Sequence, residues 1–374
     1  MAVSTKPNGR IIEADAGRHA VVAGASLVGL TAALALAGRG WRVTVLERSR
    51  QNADGMGISI DRALLASITR TDVSRLPTMD VGWTSTGWGL LHTFLSEEVA
   101  RRPTITVRRG VAVRRVTNGA RGAGALVHSD HGDTTADLVV GADGAASTVR
   151  RFVAPDAPDA VFSGLVLWRG VVHEADTTGG FRAADLNFTF RSARPGMVAT
   201  YGIPGTDGGT AAGERRGVFI VFDATRARLL RNIGKLEGTL VRGTVGGGEV
   251  GPDLVEELAS AAGRWPNRWP SAAATFRSRA FIGTPLAEYR PERLSRGSVV
   301  IVGDAAHAVG PTTGAGFHNG MLDVRTLAET LTGPGSEDVP AALRRYEKIR
   351  LGPAQDLVAR SQRWSRSLTA GAVE

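Results

Sequence analysis

The residue types best able to do chemistry gather in three short segments. In the first, Gly24, Ser26 and Gly29 sit between two apolar runs, and Glu47 closes a third run at 41–46. The pattern predicts a strand, a tight turn, a helix and a second strand ending in an acid. That order holds the ADP part of a dinucleotide. Gly24 permits the turn, and Gly29 lets the helix lie close to the sheet. The helix N-terminus offers N–H groups and partial positive charge to a pyrophosphate. Glu47 can accept both ribose hydroxyls, with Arg48 beside it. Ser26 replaces the middle glycine of G-x-G-x-x-G; it is small enough for a pyrophosphate to approach and adds a hydroxyl.

The second segment runs from Val139 through Asp143-Gly144 to Ser147 and Arg150. It reads as a strand, an acidic–glycine turn and a helix that Asp143 caps. The third starts with the strand 299–302 and continues through Gly303, Asp304, His307, Pro311, Gly314, Ala315, Gly316, Phe317 and His318 to Asp323. Asp304 falls at the C-terminal tip of a parallel strand, where ligands bind. The glycine-rich loop then opens a helix at about Phe317. An acid at a strand tip and two helix N-termini on one sheet suit an extended cofactor better than a single phosphate.

These segments need a scaffold. Residues 19–48 form a βαβ unit, 62–68 a helix, 83–102 include a helix, and 104–140 alternate as strands. Short β runs with turn signals at about 160–285 argue for an antiparallel sheet with one covered face. A helix at 253–262 follows Pro252, and helices at 321–331 and 341–367 come last. Gly246 to Gly251 also fits G-x-G-x-x-G, but no clean strand precedes it, so it reads as a flexible loop. The expected fold is α/β, α+β overall: a Rossmann-like cofactor domain, which the resemblance given below makes an FAD-binding domain, with an inserted antiparallel substrate domain and C-terminal helices. Its expected boundaries are a flexible extension at 1–18, the cofactor domain at 19–75, 100–160 and 285–332, the substrate domain at 76–99 and 161–284, and a helical segment at 333–374.

A chain of 374 residues, 43% hydrophobic, can bury two cores. The net charge of +9 is almost all arginine, scattered in pairs rather than along one helix, which argues against nucleic acid. It suits attraction of an anionic co-substrate. Zero cysteines exclude disulfides, thiolate metal sites, cysteine nucleophiles and a cysteinyl-linked flavin, and no metal site is expected. The apolar stretch from Val21 imitates a signal peptide, but Glu13 and Asp15 occupy the would-be basic region. Gly24, Ser26, Gly29, Thr31 and Gly38 interrupt it as a membrane span. A cytoplasmic protein without membrane contact is expected.

In order and spacing, the three segments resemble the class A FAD-dependent monooxygenases of the para-hydroxybenzoate hydroxylase type, over most of residues 19–335. The resemblance implies non-covalent FAD held by Gly24, Ser26, Gly29, Glu47 and Arg48 at its ADP part. Asp143 would contribute to FAD and NAD(P)H binding. Gly303 and Asp304 would hold the ribityl chain, and Gly314 to His318 would face the flavin N1/O2 edge. Pro311 would lie where oxygen reacts, and His318 is a candidate for proton delivery. His318 stands where the family usually has asparagine, Gly55-Met56 where it often has an arginine, and Leu90 at the position of an arginine near the flavin.

On that resemblance NAD(P)H, binding transiently, reduces FAD. Oxygen then adds at C4a, and the hydroperoxyflavin hydroxylates or epoxidises an aromatic or polycyclic, largely apolar molecule. Trp168, Phe188, Phe190, Tyr201 and Phe219 are candidates to line its pocket. The chain ends soon after its last helices, without the extra C-terminal domain of the phenol hydroxylase branch. Trp265 to Pro270 does not match the halogenase signature. Two alternatives stay open: an oxygen-independent flavoprotein reductase or dehydrogenase, and a non-redox ligand-binding protein or cyclase. The oligomeric state is not encoded legibly.

Overall fold

The computed structural model describes residues 17–50, 57–119, 124–193, 196–263, 270–311, 314–332 and 338–370. The first sixteen residues, Gly55-Met56 and the segment 265–269 lie outside the described residues.

Val21, Val43, Val139 and Val300 are fully buried, as parallel strands covered on both faces require. Their sheet has the order Ser295–Arg296, Val299–Ile301, Leu138–Gly141, His19–Ala23, Arg42–Glu47, Ile105–Arg109. All neighbours are parallel except the edge pair Ser295–Arg296 with Val299–Ile301. The helices Leu27–Ala37 and Ala315–Thr330 pack against each other over this sheet's core.

The second sheet is antiparallel, in the order Thr189–Ala193, Gly196–Ile203, Arg216–Asp223, Val161–His173, Phe281–Glu288, Val245–Gly246. Strand alternation splits its residues between two environments. Val166, Trp168, Val172, Phe219 and Val221 face a core closed by the helices Pro252–Gly263 and Pro270–Arg277. Leu165, Leu167, Tyr201, Ile220 and Phe222 face the other way. The 32-residue helix Val339–Ala370 joins the two halves. Its Tyr346 hydroxyl donates to the Ile301 carbonyl in the parallel sheet, and its Trp364 packs edge-on against Phe222 in the antiparallel one.

Two local expectations change. The helix after Asp143 is only Arg150–Val153, because the Asp143 carboxylate is used within the turn that precedes it. The Gly246–Gly251 stretch is ordered: Val245–Gly246 pairs with the strand Phe281–Glu288, and a 3-10 turn at Gly247–Glu249 follows. Its stabilising contact is the Gly246 N–H donating 2.6 Å to the Glu249 carboxylate, which no apolar pattern announces. Among the described residues no helix is long and apolar enough to cross a membrane, and no group of three or more His, Cys, Asp or Glu residues could hold a metal ion.

Glu174 closes one end of the antiparallel sheet. Arg215 donates to both of its oxygens at 2.6 and 2.7 Å, and Phe181 N–H adds a third bond at 2.8 Å. The Arg215 guanidinium holds the Glu174 pKa at about 2, below the ordinary 4.5. A depressed carboxylate stabilises the fold fully above 4.5, and that contribution disappears as pH falls towards 2. Glu174→Gln is expected to cost about 3 kcal/mol at neutral pH. Urea unfolding midpoints of the variant should also fall less steeply than wild type across that acid window.

Candidate active site

A cavity of about 700 Å³ lies between the C-terminal ends of the parallel strands and the antiparallel sheet. Strand His19–Ala23 leaves the sheet at Gly24 and enters the helix Leu27–Ala37 at Ser26, which makes no capping bond through its side chain. Gly29 stands behind this turn. A Cβ there would sit 2.0 Å from the Gly24 carbonyl oxygen, so only glycine lets helix and turn approach this closely. Glu47 accepts the Ala25 N–H and the Ser49 N–H, both at 2.7 Å. Each oxygen keeps a lone pair for a further donor. Gly24, Ser26, Glu47 and Arg48 line the cavity. His92 supports the turn from behind, donating from Nε2 to the Ala25 carbonyl at 2.9 Å while its ring stacks on Trp88.

The Asp143 carboxylate accepts the Ser147 hydroxyl at 2.5 Å, Thr148 N–H at 2.7 Å and Val149 N–H at 3.1 Å. Burial pushes its pKa up despite those donors. Arg150, almost wholly buried, donates to the carbonyls of Pro158, Ala305 and Ala145 and lies 4.1 Å from the Tyr289 ring centroid. It therefore ties the second segment to the third.

The third segment is held by a buried ionic cluster. Asp323 accepts from His307 Nε2 at 2.6 Å, Gly303 N–H at 2.9 Å and Arg350 Nε at 2.8 Å. Burial opposes its charge, but His307 and Arg350 outweigh that and hold its pKa below 3.8. Burial likewise opposes charge on His307, and Asp323 outweighs it and raises its pKa above 6.5. With its N–H fixed, Gly303 adopts φ +59°, and the chain turns so that Asp304 faces the cavity. The Asp304 carboxylate is open to the cavity but surrounded by protein, and burial pushes its pKa up. No protein hydrogen bond reaches it among the described residues.

Pro311, Gly314, Gly316 and Phe317 continue the lining. Gly316 and Phe317 fall in the first turn of Ala315–Thr330, where N–H groups have no carbonyl four residues back in the helix. Gly303 and Ala315 lie behind the lining. His318 is half-buried one residue further into the helix and does not line the cavity.

The far half of the cavity is aromatic. Phe188, Phe190 and Tyr201 of the β block line it, joined by Trp83, Trp88 and Phe222. Trp168 and Phe219 do not. Both side chains point to the opposite core, where Trp168 Nε1 donates to Asp223 at 3.1 Å and Phe219 packs edge-on against Phe276. Aromatic type alone selected them, whereas strand parity decides, and parity places Ile220 and Phe222 on the cavity side instead. Leu90 is also outside the lining; Trp88 takes that place on the helix Trp88–Ala100.

Lined glycine turn, ribose acceptor, unpartnered Asp304 and helix N-terminus fit the chemistry of FAD. Gly29→Ala should abolish flavin retention, measured by flavin fluorescence of the purified protein. Asp323→Asn should cost about 3–5 kcal/mol in urea unfolding, because it strands buried charges. In wild type the His307 contribution is full below 6.5 and lost as pH rises through the raised value. That alkaline decline in melting temperature should be absent from Asp323→Asn.

Two family descriptions match the chain: "FAD binding domain" over residues 252–361 and "FAD binding domain-like" over 162–267. The chain is 29% identical to the 3-amino-4-hydroxybenzoate 2-monooxygenase of Streptomyces cremeus, covering 91% of this chain and 85% of that one. It is 31% identical to the aurachin C monooxygenase/isomerase of Stigmatella aurantiaca over 61% of this chain, which spans half of that relative's length. In fold it is similar to the 2,6-dihydroxypyridine-3-hydroxylase of Arthrobacter nicotinovorans, with a TM-score of 0.77, 23% identity, and 96% and 94% of the two chains covered. Glycine turn, ribose acid, Asp304 loop and these likenesses converge: the chain is similar to the class A FAD-dependent monooxygenases, the aromatic hydroxylases of the para-hydroxybenzoate hydroxylase type.

Proposed function

We propose that the protein uses NAD(P)H and O2 to hydroxylate or epoxidise a largely apolar aromatic or polycyclic molecule. One observation carries this reading: a single cavity has a polar end built from Glu47 and Asp304 and an aromatic end built from Trp83, Phe188, Phe190 and Tyr201. When bound, FAD supplies the redox chemistry, taking hydride from NAD(P)H and delivering electrons to O2. Gly24, Ser26 and Glu47 would anchor its ADP part, and the Asp304 carboxylate would accept hydrogen bonds from its ribityl hydroxyls. The first turn of Ala315–Thr330 offers N–H groups and positive dipole to the electron-rich edge of the ring. Pro311 and the aromatic wall exclude water around the reacting atoms.

Tyr201 supplies no base at neutral pH. Burial pushes its pKa to about 12, and its hydroxyl donates to the Gly57 carbonyl at 3.3 Å. The other ionisable groups in the lining, Glu47, Arg48, Asp143 and Asp304, belong to the cofactor end. The substrate must therefore bring its own electron-rich carbon rather than be activated by a residue of the pocket. The relatives' names, which include a 3-amino-4-hydroxybenzoate monooxygenase and a 6-methylsalicylate monooxygenase, support an aromatic substrate and favour oxygenation over the reductase and non-redox alternatives.

The test is turnover of the flavin-loaded protein with a panel of phenols and fused aromatics. Expected are NAD(P)H oxidation that an accepted aromatic stimulates and one atom of 18O2 in the product. Hydride transfer with no labelled product, or no flavin reduction with any co-substrate, would overturn the reading.

A further inference from the structure

The polar end of the cavity is short of cations. Among its described lining residues Arg48 is the one cation, whereas Glu47, Asp143 and Asp304 each bring a carboxyl group. A pyrophosphate taken into such a place must be met chiefly by backbone N–H groups. The direction in which those groups point therefore decides how well it is held.

Ala25, in the glycine turn, is gripped on both sides. Its N–H donates to Glu47 at 2.7 Å, and its carbonyl accepts from His92 Nε2 at 2.9 Å. A trans peptide is planar, so its C=O and the following N–H point in opposite directions. Fixing the Ala25 carbonyl toward His92 thus fixes the Ser26 N–H away from it. Ala25 and His92 are buried behind the lining, whereas Gly24 and Ser26 belong to it. The Ser26 N–H has no acceptor among the described residues. The histidine is set for this bond: a carbonyl only accepts, so Nε2 carries the proton. Burial lowers the His92 pKa from 6.5, which keeps the ring neutral at physiological pH. The ring also stacks on Trp88 with centroids 4.9 Å apart and planes 13° apart, which fixes the plane in which Nε2 points.

We propose that His92 is a positioning residue for the pyrophosphate of FAD: by holding the Ala25 carbonyl it turns the Ser26 N–H into the cavity, where a phosphate oxygen would accept it. This rests on the reading of the cavity as an FAD site. His92 does not line the cavity, so it acts through the peptide it holds. A neutral donor suffices for that task, because it sets a direction and adds no charge.

The experiment titrates the apoprotein with FAD, following flavin fluorescence, and records the phosphorus NMR spectrum of the bound cofactor. His92→Phe keeps a ring on Trp88 and removes the donor, whereas His92→Gln keeps an N–H that can reach the same carbonyl. His92→Phe should bind FAD about tenfold or more weakly than wild type, the range for a lost hydrogen bond to a charged group, and should shift the pyrophosphate resonances. ADP, which carries the pyrophosphate without the flavin, should weaken by the same factor. His92→Gln should restore most of the affinity and the wild-type resonances. Should His92→Phe fail to fold, His92→Asn, whose amide is too short for the carbonyl, replaces it in the same comparison. Affinity of the variant lacking the donor within about twofold of wild type, unmoved resonances, or a His92→Gln variant as weak as that one would overturn the proposal. Wild type that binds neither FAD nor ADP would overturn the cofactor reading and the proposal with it, a result seen before any variant is compared.

Discussion

A carboxylate removed from water must be surrounded by donors, and Asp323 imposes that demand on this fold. Three chain segments meet to satisfy it: the strand end at Gly303, the short helix Asp304–His307 and the long helix Val339–Ala370. Asp323 bound by His307 and Arg350 leaves little freedom to the turn between them. Breaking such a cluster strands charges in a medium that solvates them poorly, which makes the arrangement specific even if its net stabilisation is small. The consequence is the position of Asp304, one residue beyond the restrained Gly303 N–H. Arg150 restrains the same loop from the other side through the Ala305 carbonyl. That end of the cavity is therefore supported by buried charges that do not line it.

The substrate end follows from a different constraint. One antiparallel sheet has two faces, and both are covered. Helices Pro252–Gly263 and Pro270–Arg277 close one face into an ordinary core around Trp168, Phe219 and Phe276. The other face meets the cofactor half and the C-terminal part of the long helix, where Trp364 backs Phe190 and Phe222. Aromatic side chains serve both faces, and only one set lines the cavity. The same helix thus contributes to the Asp323 cluster near one end and to the aromatic wall near the other, coupling two sites with unrelated chemistry.

The cofactor half was legible in the order of residues because its chemistry is local. Gly24, Gly29 and Glu47 act through a turn, a close approach and a strand end within one βαβ unit. Asp143 was legible as a capping acid, though not the length of the helix it precedes. The helix opening near Phe317 was legible to within two residues of its start at Ala315. His92 was not: a histidine on a helix gives no hint that it will reach the Ala25 carbonyl, 67 residues away. The bonds from Arg150 to Ala305, 155 residues away, and from Arg350 to Asp323, 27 residues away, were equally silent.

The amino-acid sequence by itself determined the parallel unit, its glycine turn, the two acids at strand tips and the existence of an antiparallel block. Those features depend on neighbours a few residues apart, and periodicity carries them. Only the tertiary structure decided which face of that block becomes a pocket. Alternation of side chains is symmetric in sequence: Phe219 and Phe222 look alike until one face acquires helices and the other a cavity. The same assembly put His318 outside the lining. Burial and pairing are properties of what lies across a gap, and the chain order of residues does not record what that will be.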